Sequence, residues 1–187
     1  MDLMDAIYHR RAVREFKSDA VDREMIRFII AAAVQAPSAM NRQPWFFVVI
    51  EDQAALERYS CNAKAHLLAT VPESAPLGQY RALLAEPTFQ LFYHAPALIV
   101  ICATSTEEGS AEDCCLAAEN LMLVAHSAGL GTCWVGFSRS WLDLPAGRKE
   151  LGIPMHYVPI APIAIGHPKV SMPPVPRRHA DILWIGS

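Results

Sequence analysis

Between Ser110 and Gly129 lies the stretch that most narrows what this chain can fold into. From Cys114 to Ala125 every residue except Glu119 and Asn120 is apolar. Read as a helix, it is capped by Ser110 and stopped at Gly129, where a left-handed glycine ends the last turn. A helix that is apolar around its whole circumference must be enclosed, in a core or between subunits. No uninterrupted apolar run reaches the roughly 18 residues that a bilayer span needs. The helix is therefore expected to be covered by protein, and a membrane is not expected as a partner.

The other segments predict strands separated by helices. Short helices are expected over Asp2–Tyr8 and Arg23–Gln35, the second capped by Asp22, well buried, and closed before Pro37. Trp45–Glu51 reads as a strand covered on both faces, because its apolar run is continuous. Asp52–Lys64 reads as a helix. His66–Ala95 holds Pro72, Pro76 and Pro87 and suggests two short helical pieces, around Leu83-Leu84 and Phe89–Phe92. Strands follow at Pro96–Thr104, Thr132–Phe137 and Tyr157–His167, with a helix over Asp143–Leu151. From Lys169 onward the prolines predict an extended tail. No tight hairpin signal occurs, and the order indicates an α/β or α+β domain.

A chain of 187 residues suits one domain with a sizeable core. Apolar residues make up 52% and charged ones only 19%, so part of the surface is expected to be covered by a second subunit. The net charge of −3 provides no basic field for nucleic acid. Met1–Asp5 lacks the features of a secretory signal, which makes a cytoplasmic protein the expectation. The five cysteines, Cys61, Cys102, Cys114, Cys115 and Cys133, contain no C-x-x-C pair and read as buried thiols. The histidines show no metal-ligand spacing, and no metal site is expected.

Two segments carry candidate chemistry. Ala36–Trp45 (APSAMNRQPW) follows a helix, leads into a strand, and concentrates hydrogen-bonding groups on a turn. It reads either as a helix stop and strand start or as a binding loop on a rigid scaffold. Arg10-Arg11-Ala12-Val13-Arg14 places three arginines within five residues. Guanidinium groups suit phosphate and planar acceptors, although a solvated basic patch has the same composition.

Together these segments resemble the nitroreductase family of flavin enzymes, whose opening pattern is Arg-Arg-Ser-x-Arg followed by Pro-Ser-x-x-Asn-x-Gln-Pro-Trp. The resemblance continues, in order, through Phe92–Ala97, Ala118–Leu123, Gly129–Phe137 and Ala161–Pro168. It implies an α+β fold with a mostly antiparallel central sheet flanked by helices, and an interlocked homodimer. The long central helix would lie between subunits, and the tail from about residue 169 would be exchanged with the partner subunit. It further implies FMN as cofactor, NADH or NADPH as electron donor, and a small-molecule acceptor such as a nitroaromatic, quinone or enone, used in ping-pong fashion. Relatives that fragment flavin or remove halogens on the same fold, and a flavin-binding sensor without turnover, are the alternatives.

The family pattern also assigns residues. Arg10 would bind the phosphate and Arg14 the N1/O2 edge of the ring, with Arg11 fitting either. Ala12 stands where the family usually has serine, so one phosphate contact of about 1 kcal/mol is lost. Pro37, Ser38, Asn41 and Gln43 would come from the other subunit, while Pro44 and Trp45 read as core. Cys133, Trp134, Val135 and Gly136 would pass the ring, with a backbone N–H of Val135 or Gly136 facing N5. Arg177 and Arg178 match a second phosphate clamp, and spacing favours Arg178. No catalytic side chain is expected, Cys133 included.

Overall fold

A computed structural model describes residues 2–186. Four strands form one antiparallel sheet in the order β1-β2-β4-β3: β1 (Trp45–Ile50), β2 (Ala97–Ala103), β3 (Gly131–Trp134) and β4 (Val158–Gly166). Helices α1 (Leu3–His9), α2 (Arg23–Ala33), α3 (Gln53–Thr70), α4 (Arg81–Ala85), α5 (Ser110–Ser127), α6 (Arg139–Leu142) and α7 (Pro145–Glu150) surround it. The α+β class and the antiparallel sheet are as expected.

The two-residue period of β2 divides the core. Ile99 and Ile101 face α2 and α5, where Ile29, Ala33, Ala117, Ala118 and Leu121 meet them. Leu98, Val100 and Cys102 face the opposite layer, built from Leu56, Tyr59 and Ala63 of α3 and Leu142 of α6. Burial of β2 on both faces explains why its sequence is apolar without alternation. The prolines of β4 have a positional reason. β3 ends at Trp134 opposite Ile163, so Pro162 stands where β4 no longer has a strand partner on that side. Pro159 lies at the bulge opposite Ile101 and Cys102.

Several expectations need correction. β1 is an edge strand whose Phe46 and Val49 remain over a third exposed, so its apolar run does not mark burial on both faces. In α2, Phe28 faces solvent, and the helix ends at Ala33 rather than Gln35. α3 runs to Thr70, six residues past Lys64. Phe89–Phe92 forms turns, not a helix. The helix expected over Asp143–Leu151 is α7, which Pro145 opens and which is confined to Pro145–Glu150; the short α6 just before it was not expected. Gly109, at φ +86°, takes the N-cap position of α5; Ser110 is the first helical residue and its Oγ pairs with Ser105 Oγ at 2.9 Å. Cys61 and Cys115 are exposed rather than buried.

One seam positions the N-terminal segment. Val13 N–H donates to Thr132 O (2.9 Å), Lys17 N–H to His167 O (2.8 Å) and Lys169 N–H to Glu15 O (2.9 Å). Residues 12–17 are thereby tied to the start of β3 and the exit of β4. The fit is close at Gly131, where a Cβ would stand 2.7 Å from Val13 Cγ2 and 2.8 Å from its Cβ. Gly131→Ala is expected to destabilise the protein by about 1–3 kcal/mol, as overpacking does. A lowered urea midpoint would report it; an unchanged midpoint would mean that the seam yields freely.

Candidate functional site

The seam carries the arginines to one place. Arg10, Arg11, Ala12 and Arg14 line a recess of about 270 Å³, closed on its other side by Met172, Pro173, Val175 and Arg177 of the tail. Four guanidinium groups thus border one small space. Arg10 has a carboxylate nearby, Glu119 Oε1 of α5 at 3.6 Å. Arg11 Nη1 donates to the carbonyls of Tyr8 and Arg10, both at 2.7 Å, while its buried Nε has no hydrogen-bond partner among the described residues. Like charges held this close repel, and a dianion between them removes that cost. Arg178 is exposed on the tail and does not line the recess; Arg177 does, although spacing favoured its neighbour.

Arg14 lies over the ring of Tyr93, 5.9 Å from its centroid. Burial works against the Arg14 charge, but the Tyr93 hydroxyl and the Cys133 thiol more than offset it, so its pKa is raised. Burial also pushes up the Tyr93 hydroxyl. The Cys133 thiol is raised chiefly by burial, against the opposing pull of Arg14 and Arg10. Cys133 is therefore a protonated, enclosed thiol at neutral pH, unlike an activated nucleophile.

Beyond Cys133, β3 ends and a single 3-10 turn runs over Gly136–Ser138. Of the two candidate backbone donors here, Val135 N–H is taken by Pro162 O at 2.8 Å. Gly136 remains: its N–H opens the turn, where helical partners are lacking, and a Cβ built on it would meet nothing within 4 Å. The backbone is open to a ligand at that point. Phe137 packs edge-on against Tyr80 at 5.3 Å, which brings the proline-rich 66–95 region alongside Gly136.

The loop after α2 is held rigidly but elsewhere. Met40, Asn41 and Gln43 have φ of 54°, 54° and 51°, three left-handed positions without glycine in one short loop. Such strain persists only where surroundings impose it, and it clusters at functional sites. Ser38 Oγ accepts from Gln43 N–H at 2.9 Å, and Gln43 Nε2 donates to Asn41 Oδ1 at 3.1 Å. Asp113, buried in the first turn of α5, accepts the Ala39 N–H on both carboxylate oxygens at 3.1 and 3.2 Å. Pro44 is buried and Trp45 packs on the core, as expected. Pro37, Ser38, Asn41 and Gln43 contribute nothing to the arginine recess of their own chain.

Sequence reasoning missed Asp113, Tyr93, and the tail residues Met172, Pro173 and Val175. Tyr93 stands within one of the matching motifs. Asp113, an acid in the first turn of an apolar helix, reads equally well as a response to the helix dipole. Asp113→Ala is expected to cost about 1–3 kcal/mol, since the Ala39 N–H loses its charged acceptor. Trypsin should then cut more readily after exposed Arg42. Unchanged stability and cleavage would show that the carboxylate does not hold the loop.

No helix among the described residues is long and apolar enough to cross a membrane, and no cluster of three potential metal ligands occurs among them. Comparison with known proteins agrees with the geometry. The profile of the nitroreductase family matches residues 7–167. A protein of Methanothermobacter thermautotrophicus, provisionally named NADH dehydrogenase/NAD(P)H nitroreductase, is 31% identical over 90% of this chain and 78% of its own. The 5,6-dimethylbenzimidazole synthase of Rhodospirillum rubrum is 31% identical over 92% of this chain and 85% of its own. The crystal structure of a nitroreductase with bound FMN from Desulfitobacterium hafniense superposes with a TM-score of 0.85 at 26% identity, with both chains fully covered. With its profile matched over most of its length and its sheet and helices superposing on that fold, this chain belongs to the nitroreductase family.

Proposed function

We propose that this protein is an FMN-dependent oxidoreductase that takes electrons from NADH or NADPH and passes them to nitroaromatic, quinone or enone acceptors in ping-pong turnover. The observation that carries this reading is the convergence of Arg10, Arg11, Arg14 and Arg177 on one recess in a chain of this family. Their chemistry fits a terminal phosphate, and the open backbone at Gly136 fits the approach of a planar ring. The bound flavin would supply reversible two-electron chemistry, accepting hydride from the nicotinamide and delivering it to the second substrate.

The residues have distinct tasks in this reading. Arg10, Arg11 and Arg177 hold the phosphate, and the Ala12 backbone stands where a serine hydroxyl would add a contact. Arg14, kept charged beside Tyr93, sets positive charge at the pyrimidine edge of the ring, which favours the reduced anion. Gly136 N–H is the donor offered to N5, with Cys133 and Trp134 lining the approach. No side chain exchanges a proton with the substrate.

The site is shared between two copies. The recess, at about 270 Å³, falls below the usual size of a pocket that encloses an organic ligand, about 300–1,000 Å³. Pro37, Ser38, Asn41 and Gln43 lie on a strained loop that does not line it, and a second chain can supply them. Apolar surface supports the same arrangement. On α1, Leu3, Met4, Ile7 and Tyr8 are exposed, as is Leu116 on α5, while Leu183, Trp184 and Ile185 of the tail are more than four-fifths exposed. A cytoplasmic homodimer is part of the proposal, and sedimentation should give a dimer. A flavin-containing monomer would contradict the shared site.

The Rhodospirillum relative favours a second reading, fragmentation of reduced FMN with oxygen. The purified protein is expected to be yellow, to bleach within seconds of adding NADH or NADPH, and to regain its full colour with a quinone. Failure to take up FMN would refute the flavin reading, and failure to bleach would indicate a binding module. Colour lost permanently in air would favour fragmentation.

Arg10→Ala is expected to weaken FMN binding by about 1.5–3 kcal/mol, the value of a charge-assisted contact. Arg14→Ala should chiefly lower the flavin reduction potential. Equal affinity losses with unchanged potentials would refute this division of roles. Cys133→Ala should retain most quinone turnover; a drop of about a hundredfold at full flavin occupancy, roughly 2.7 kcal/mol, would assign chemistry to the thiol.

A further inference from the structure

On the opposite side of the N-terminal segment from the arginine recess lies a larger cavity of about 560 Å³, well within the size range of ligand pockets. It is bounded by the C-terminal end of α5, the start of β3 and tail residues 168–174. Most of its wall is apolar. Its charged or titratable lining residues are His9, Arg11, His126 and Lys169, and no carboxylate among the described residues lines it. A cavity of apolar walls with a few convergent polar groups is the usual form of a small-molecule site.

A polar atom of its lining lacks a partner. His126 Nε2 is shielded from solvent and without a hydrogen-bond partner among the described residues. Buried polar groups are seldom left so, and each carries a penalty until it is met. The surroundings of His126 are strongly one-signed: burial first, then Arg10, His9 and Arg11, hold its pKa below the ordinary histidine value. That happens at the last turn of α5, where the helix dipole by itself would favour a cation. The nearby carboxylates are already engaged, Asp5 with His9 at 4.0 Å and Glu119 with Arg10 at 3.6 Å.

We propose that this cavity is a second binding site, separate from the flavin recess, for a small organic carboxylate. Its anionic head would lie between His126 and Lys169, and its apolar body along Val13 and Leu130. The wall selects an amphipathic anion over inorganic phosphate, because a fully hydrated ion would leave the apolar surface unsatisfied. Arg11 borders both this cavity and the flavin recess. Binding here does not require flavin.

Isothermal titration of the purified full-length protein, saturated with FMN, with sodium octanoate tests the proposal. The sign of the pH dependence follows from His126. A bound anion favours the imidazolium, so the complex takes up a proton and affinity rises as pH falls from 8 to 6. One saturable site per chain is expected, with binding at least about threefold tighter at pH 6, and weakened about tenfold by His126→Gln and by Lys169→Gln. Neither substituted residue belongs to the proposed flavin machinery, so quinone turnover without octanoate should stay near the parent value. Circular dichroism confirms that each variant is folded. The absence of saturable heat overturns the proposal, including the case in which a second copy of the chain closes the cavity. So does binding that persists undiminished in both variants. Heat accompanied by FMN release does the same, because it would place octanoate in the flavin recess. Phosphate giving the same heat as octanoate would overturn the assignment of the apolar wall.

Discussion

The backbone seam between residues 12–17 and the ends of β3 and β4 is the constraint on which the rest of the site depends. Three hydrogen bonds and the close contact of Val13 with Gly131 hold an irregular segment as firmly as a strand. Extended backbone sends successive side chains to opposite sides. The seam therefore presents Arg10, Ala12 and Arg14 to one recess, while Val13 enters the other cavity and His9 borders it. Had this segment continued as helix from α1, the arginines would have spread around a cylinder and could not have surrounded one anion.

A second constraint is the central helix α5. Its Ala117, Ala118, Leu121 and Ala125 pack flat on β2 and β4, and the small side chains let the helix lie close to the sheet. Its other residues serve the site. Asp113 holds the strained loop at one end, Glu119 meets Arg10 midway, and His126 faces the cationic cavity at the other end. An 18-residue helix is about 27 Å long, so the loop it holds and the His126 end are nearly that far apart. The strained loop does not line the arginine recess of its own chain, and under the proposed function a second chain would bring the two together. The apolar surface of α1, α5 and the tail is what such a chain would cover.

Electrostatics gives the recess its character. Four guanidinium groups with one neighbouring carboxylate form a field that suits a dianion, while the Tyr93 hydroxyl and the Cys133 thiol offset the burial of Arg14 and keep it charged. The same field acts on Cys133, but burial dominates, and the thiol stays neutral. Reactivity in such a site resides in the cofactor; the protein contributes position, charge and the exclusion of water.

Much of this was legible in the chain itself. The strands at 97–103 and 158–166 follow from apolar runs, the turn at Gly129 from its left-handed preference, and the family from an ordered set of motifs beginning at Arg10. These are local properties, readable from side-chain type and spacing. Other features depended on what lay opposite. Phe46 and Val49 are as apolar as Leu98 and Val100, and only the strand order made β1 an edge. Ser110 and Gly109 both suit a helix start, and the backbone at φ +86° decided between them. Arg177 and Arg178 are chemically equivalent, and the path of the tail turned Arg177 to the recess. Val135 and Gly136 carry equivalent N–H groups, yet the approach of Pro162 occupied one and left the other open. Sequence determined which groups this protein possesses; tertiary structure decided which of them meet, because contacts between residues distant in the chain are set by packing and not by spacing.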